Sequence, residues 1–174
     1  MVPVSTRFVE FELPPEGMHA GACVDVLDIG LRETNWQGHA KQNFQVRFVF
    51  QIEPRREKAH RKGERFTVSR NFNNVYGLQA ALPKMLKAWT GHAFTPEEWK
   101  TLDLESFLWR PTLLNITYTV ADGRTYANIE NILPWPKGQE PLKPENYLRS
   151  EYDQKLVDEA RQPIAAGPEE EVPF

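Results

Sequence analysis

The residues best suited to chemistry crowd into one stretch of the chain. Lys41, Arg47, Arg55, Arg56, Lys58, Arg61, Lys62, Arg65 and Arg70 lie between positions 41 and 70, against only Glu53, Glu57 and Glu64, a local net charge of +6. Cations at that density suit a polyanion, because each phosphate they neutralise releases condensed counterions. Just upstream, Trp36 sits in the polar stretch Glu33-Thr34-Asn35-Trp36-Gln37-Gly38, with few apolar neighbours to pack its ring. A single strand of nucleic acid needs both parts: cations along its backbone and aromatic faces under its bases. Trp36 and the nine cations are therefore the expected contacts to DNA. The competing readings are a solvated basic hairpin and core packing. Core is the expectation for Phe44, Phe48, Phe50 and Phe66, and it is favoured for Phe72, Tyr76, Tyr118 and Tyr126.

Other chemistries find less support. No glycine-rich phosphate loop occurs. His19, His39, His60 and His92 fall near turns or loops without the spacing of metal ligands. Asp25 and Asp28 would suit a metal-dependent nuclease, but strand alternation puts residues three apart on opposite faces. Ser69 and Ser106 have no histidine and acid beside them in any motif. The single cysteine, Cys23, excludes an internal disulfide framework and reads as a small apolar strand residue. The expectation is a non-enzymatic protein with no cofactor and no metal.

The elements that must carry these residues follow from hydrophobic period. At 174 residues, 40% hydrophobic and 26% charged, the chain fits one domain with an appendage. Gly17 to Gly30 alternates as a strand through Ala20, Ala22, Val24 and Val26. Gln42 to Glu53 is the clearest strand, with Phe44, Val46, Phe48, Phe50 and Ile52 on one face, and Pro54 ending it. A basic loop from Arg55 to Arg65 leads to a partner strand carrying Phe66, Val68, Arg70 and Phe72. From Val75 the period becomes helical through Leu78, Leu82, Met85, Leu86 and Trp89. Pro83 kinks that helix or starts its main part, and Gly91 stops it. Thr95-Pro96-Glu97-Glu98 is a second helix start. Thr112 to Val120, with Leu114, Ile116, Tyr118 and Val120 on one face, turns at Asp122-Gly123 into Thr125 to Leu133. The fold expected is mainly β with a helical insert. Five strands with a helix between the third and fourth is the order of an OB-fold β-barrel. Other small barrels and α+β sheets share that order.

Charge divides the chain. Residues 1–138 hold 17 basic and 15 acidic side chains, whereas residues 139–174 hold 4 and 9. Pro134, Pro136, Gly138, Pro141 and Pro144 mark the change. The reading is a nucleic-acid-binding domain over 1–138 and a proline-rich, acidic, disordered tail over 139–174, with a short helix around Tyr152, Leu156 and Val157. Apolar runs reach only about three residues, so no membrane span is expected. Met1 to Arg7 lacks a basic segment followed by an apolar stretch, which points to the cytoplasm.

The chain closes on Glu169, Glu170, Glu171, Val172, Pro173 and Phe174. This resembles the acidic C-terminal tip of bacterial and phage single-stranded-DNA-binding proteins. Such a tip docks partners by seating the phenylalanine ring in an apolar pocket beside a basic group, while the acids steer toward a basic rim. The body, from about Phe8 to Pro136, resembles phage-encoded OB-fold proteins of the same kind. That likeness rests on Phe11-Glu12-Leu13-Pro14-Pro15-Glu16-Gly17, Trp89-Thr90-Gly91-His92-Ala93-Phe94-Thr95 and Tyr126-Ala127-Asn128-Ile129. It implies single-strand binding with little sequence preference during DNA replication or recombination, and recruitment of replication, recombination or repair proteins through the tip. These motifs name no DNA-contacting residue. The insert from Val75 to Leu108 exceeds a simple barrel helix, a departure from the tetrameric bacterial proteins, and self-association stays open. The alternatives are a protein-binding OB-fold adaptor and, further off, a metal-dependent nuclease.

Overall fold

A computed structural model describes residues 12–149, except 59, 60, 78 and 148 and the side chains of Thr34 and Trp36. The acidic tip and the expected helix around Leu156 lie outside the described residues. Five strands form one antiparallel open sheet: β1 (Gly17–Trp36), β2 (His39–Arg55), β3 (Arg65–Asn73), β4 (Pro111–Ala121) and β5 (Arg124–Pro134). Their order in the sheet is β3-β2-β1-β4-β5. Two helices, α1 (Ala81–Thr90) and α2 (Pro96–Thr101), and a 3₁₀ turn over Leu104–Phe107 connect β3 to β4. The sheet coils so that its outer strands approach one another. Arg70 on β3 reaches over the Phe72 ring, 4.7 Å from its centroid, and its Nη1 donates to the Ile129 carbonyl on β5 at 3.5 Å.

The concave face makes the core. Val46, Phe48, Phe50 and Ile52 of β2, Phe66 and Phe72 of β3, Leu114 and Ile116 of β4, and Ile129 and Ile132 of β5 are buried there. Helix α1 adds Leu82, Met85, Leu86 and Trp89. Trp89 is the hub. Its ring centroid lies 6.4 Å from Phe48 and 5.6 Å from both Phe50 and Phe107, and its Nε1 donates to the Pro111 carbonyl at 3.0 Å. Edge and tilted contacts of this kind match the ring quadrupoles and leave no indole N–H unpaired. Cys23 is wholly buried in the same cluster; its N–H donates to the Arg110 carbonyl and its carbonyl accepts from Trp109 N–H. Burial pushes its thiol up to about 12.

Local chemistry sets the connections. Helix α1 begins at Ala81, so Pro83 occupies the first turn, where a missing N–H breaks no helical bond. Gly91 ends α1 in the left-handed conformation, φ 76°, with its N–H on the Lys87 carbonyl. Thr95 and Glu98 close a capping box at the start of α2. Asp122 and Gly123 both take positive φ, as a two-residue primed hairpin turn requires.

Three expectations need correction. First, β1 does not keep strict alternation. The β1–β2 register skips Val24 and Ile29, each an extra residue opposite no partner, and both are buried. Bulges of this type bend and twist a strand. Asp25, which alternation would place on the face of Cys23, lies opposite Val49 instead, and it is fully buried. Second, Tyr118 and Tyr126 are exposed, not core, and so is Phe44, at 59%. It lies on the part of the β1–β2 hairpin opposite Leu31, and only from Val46 onward does that face of β2 carry the buried cluster. Third, β2 runs through Pro54 to Arg55. Its ladder with β3 is interrupted between Gln51 and Arg55, and a proline fits such an irregularity because no ladder N–H is needed there.

Replacing Trp89 with Ala should cost about 3–5 kcal/mol of stability, as for other large buried aromatics. Trp109→Ala should stay within about 0.5 kcal/mol, since that ring is 54% exposed. Urea unfolding of both variants checks the contrast; equal losses would mean Trp89 is not the hub.

Candidate nucleic-acid interface

Apart from Val49, the outward side of the β2–β3 ladder is a row of hydrogen-bonding side chains. Gln45 faces Asn73, Arg47 faces Asn71, Val49 faces Ser69, Gln51 faces Thr67, and Arg55 faces Arg65. Gln45 Nε2 donates to Asn73 Oδ1 and Arg47 Nε donates to Asn71 Oδ1, each at 2.9 Å. Beyond Arg55 the chain turns, with Arg56 N–H on the Glu64 carbonyl and Gly63 N–H on the Arg56 carbonyl. The turn brings Arg55, Arg56, Arg61 and Arg65 around one cavity of about 300 Å³, which Gln51, Thr67 and Glu145 also line. The Arg56 guanidinium lies 5.0 Å from the centroid of the Phe66 ring, which sets its direction.

A strap from the C-terminal side crosses this face. Gln51 holds its backbone twice: Nε2 donates to the Glu145 carbonyl at 2.6 Å and Oε1 accepts from Glu145 N–H at 2.7 Å. The Glu145 carboxylate then takes a bidentate grip from Arg55, 2.9 Å on each side, and a third contact from Arg65 at 3.4 Å. Arg65 Nη1 also donates to the Lys143 carbonyl. Further along, Tyr147 Oη donates to Asp25 Oδ2 at 3.0 Å and Arg149 Nε to Asp25 Oδ1 at 2.7 Å, while Val26 N–H donates to the same carboxylate. A buried charge persists only when it is paired and hydrogen-bonded in this way. The strap thus runs from Lys143 beside β3, over β2 at Glu145, to β1 at Tyr147 and Arg149. The first part of the expected tail is built into the folded body.

Hydrogen bonding by Arg55 holds the Glu145 carboxyl below its ordinary value of 4.5. The reciprocal contact raises Arg55. Glu12 is likewise lowered, chiefly by the Glu57 N–H with Lys58 N–H beside it, at 2.8 and 3.2 Å. The basic hairpin therefore holds two carboxylates, one from each end of the described chain.

The ten expected contacts are distributed unevenly. Arg55, Arg56, Arg61 and Arg65 converge on the cavity. Arg47 shares their outward row, eight residues along β2 from Arg55, or about 26 Å of extended chain. Lys62 is exposed in the turn beside Arg61, and Lys58 is exposed in the loop that Glu12 holds. Lys41 sits opposite Thr34 on the β1–β2 hairpin, and Trp36 ends β1 opposite His39 across a Gln37-Gly38 turn. Arg70 is drawn away from the group, to the gap between β3 and β5. Sequence reasoning missed Phe44, whose position on a strand face looked like core, and Gln51 and Glu145, whose roles appear only once the chain returns. Asp28 accepts from Gly30 N–H, and no three His, Cys, Asp or Glu side chains among the described residues are placed to hold a metal. None of the described helices is long and apolar enough to cross a membrane.

No protein-family model matches the chain, and no curated protein matches it.

The pH dependence of the strap contact has a defined sign. A carboxyl lowered in the folded state contributes fully above its ordinary value and loses that contribution as pH falls through the lowered one. The Glu145–Arg55 contact should persist on acidification past pH 4.5 and release below it. The NMR titration of the Glu145 side-chain carboxyl should have its midpoint below 4.5; a midpoint at or above that value would remove the Arg55 contact from the solution structure.

Proposed function

We propose that this protein binds single-stranded DNA with little sequence preference on an OB-type β-barrel, as strands are exposed in replication or recombination. The barrel reading is supported by the sheet order, by the approach of β3 and β5, and by the helix that joins strands three and four. The observation that carries the function is the convergence of four arginines at one end of a polar sheet face. Arginines supply phosphate contacts, and the Asn, Gln, Ser and Thr side chains of the β2–β3 row offer donors and acceptors without a fixed sequence code. Phe44, exposed on the β1–β2 hairpin, is a candidate stacking surface, and Trp36 is a second candidate on sequence grounds alone. The acidic tip, Glu169 to Phe174, is proposed as the dock for replication, recombination or repair proteins on sequence grounds alone.

Fluorescent dT oligomers, a duplex control and a salt series test the reading. Replacing Arg55, Arg56, Arg61 and Lys62 with Ala should weaken binding and flatten log affinity against log salt by roughly 0.7 for each phosphate no longer neutralised. Phe44→Ala should lower affinity by about 1–3 kcal/mol while leaving stability within about 0.5 kcal/mol. Wild-type affinity that is absent, or indifferent to salt, would move the protein to the adaptor reading.

A further inference from the structure

We propose that the arginine cavity is a phosphate site, and that Glu145 fills it in the free protein as an internal substitute for phosphate. The inference deepens the single-strand reading and rests on it. Arginine grips carboxylate and phosphate with the same planar fork, so the two-point contact of Arg55 on Glu145 already has the geometry of a phosphate contact. The carboxylate leaves donors over. Arg65 Nε is buried with no hydrogen-bond partner among the described residues, although the side chain is only 13% exposed. Arg61 meets Glu64 only at 3.9 Å, and Thr67 lines the same cavity. A carboxylate offers two oxygens in one plane, whereas a phosphate group sets its oxygens tetrahedrally and reaches donors outside that plane.

The exchange requires little movement. Gln51 pins the Glu145 backbone, and Tyr147 and Arg149 pin the strap beyond it on buried Asp25. Rotation of the Glu145 side chain alone vacates the cavity, and the strap stays in place. Both partners are exposed, 46% for Arg55 and 43% for Glu145, so water screens the bond that must break. Glu12 makes a second contact with the same hairpin, where the Glu57 and Lys58 N–H groups hold its carboxylate. The free hairpin thus keeps its cations partly neutralised and yields them to a ligand of higher charge density than one carboxylate.

The test uses the full chain. Glu145→Gln should bind dT oligomers about two- to fivefold more tightly, the equivalent of one surface ion pair removed. Glu140→Gln removes the same charge from the same segment outside the arginine cavity, and it should leave affinity nearly unchanged. Adding Arg55→Gln to Glu145→Gln should abolish the gain. Circular dichroism melts confirm that each variant is folded. Equal gains in the Glu145 and Glu140 variants, or no gain in either, overturn the inference while leaving single-strand binding standing. Calorimetry with inorganic tripolyphosphate separates the two proposals. If no protein binds dT but Glu145→Gln acquires tripolyphosphate binding that wild type lacks, the phosphate site holds and the single-strand reading falls. If no variant binds either ligand, both fall.

Discussion

A buried carboxylate organises one whole face of this molecule. Asp25 lies on the central strand, fully enclosed, and an ionised group there must find partners or be lost to the fold. Its partners come from Tyr147 and Arg149, more than 120 residues later. The chain leaving β5 must therefore return across β3 and β2 to reach β1. On that route it passes the turn where four arginines meet, and Glu145 arrives within reach of two of them. The bulge at Val24 is the local cause: Cys23 faces the core opposite Phe50, and the extra residue sets Asp25 opposite Val49, on the outward face that the strap then covers.

The opposite face depends on aromatic packing. Trp89 joins α1 to β2 and to the 3₁₀ turn, so the helical insert serves the core and leaves the outward row of β2–β3 uncovered by helix. The arginines divide along the same line. Arg70 spans the seam between the sheet's outer strands, and Arg110 lies over the Trp89 ring, whereas Arg55, Arg56, Arg61 and Arg65 face the cavity. One residue type thus stabilises one side of the sheet and lines an open cavity on the other.

Elements set by local rules were legible in the sequence. The period-two run of β2, the capping box at Thr95, the Gly91 stop and the Asp122-Gly123 turn are each decided within a few residues, and each stands where its residues place it. Features set by distant partners were not. Phe44 has the same spacing as Phe48, and only the extent of the body beneath the strand distinguishes them. Gln51 reads as a surface glutamine until Glu145 returns to it. The charge of the 41–70 stretch marked the basic surface, but it could not separate Arg70, whose carbonyl partner lies on β5, from the four arginines of the cavity.

Cys23 gives the central strand a reporter of its own. It is the chain's one thiol, wholly enclosed, and its acid dissociation is shifted to about 12. Thiol reagents attack the thiolate, so near pH 8 the native side chain presents very little of the reactive form, behind a closed core. Alkylation then proceeds through molecules whose core has opened. The labelling rate measures how often β1 parts from its neighbours, and a ligand that grips the outward face should slow that chemistry without ever touching the sulfur.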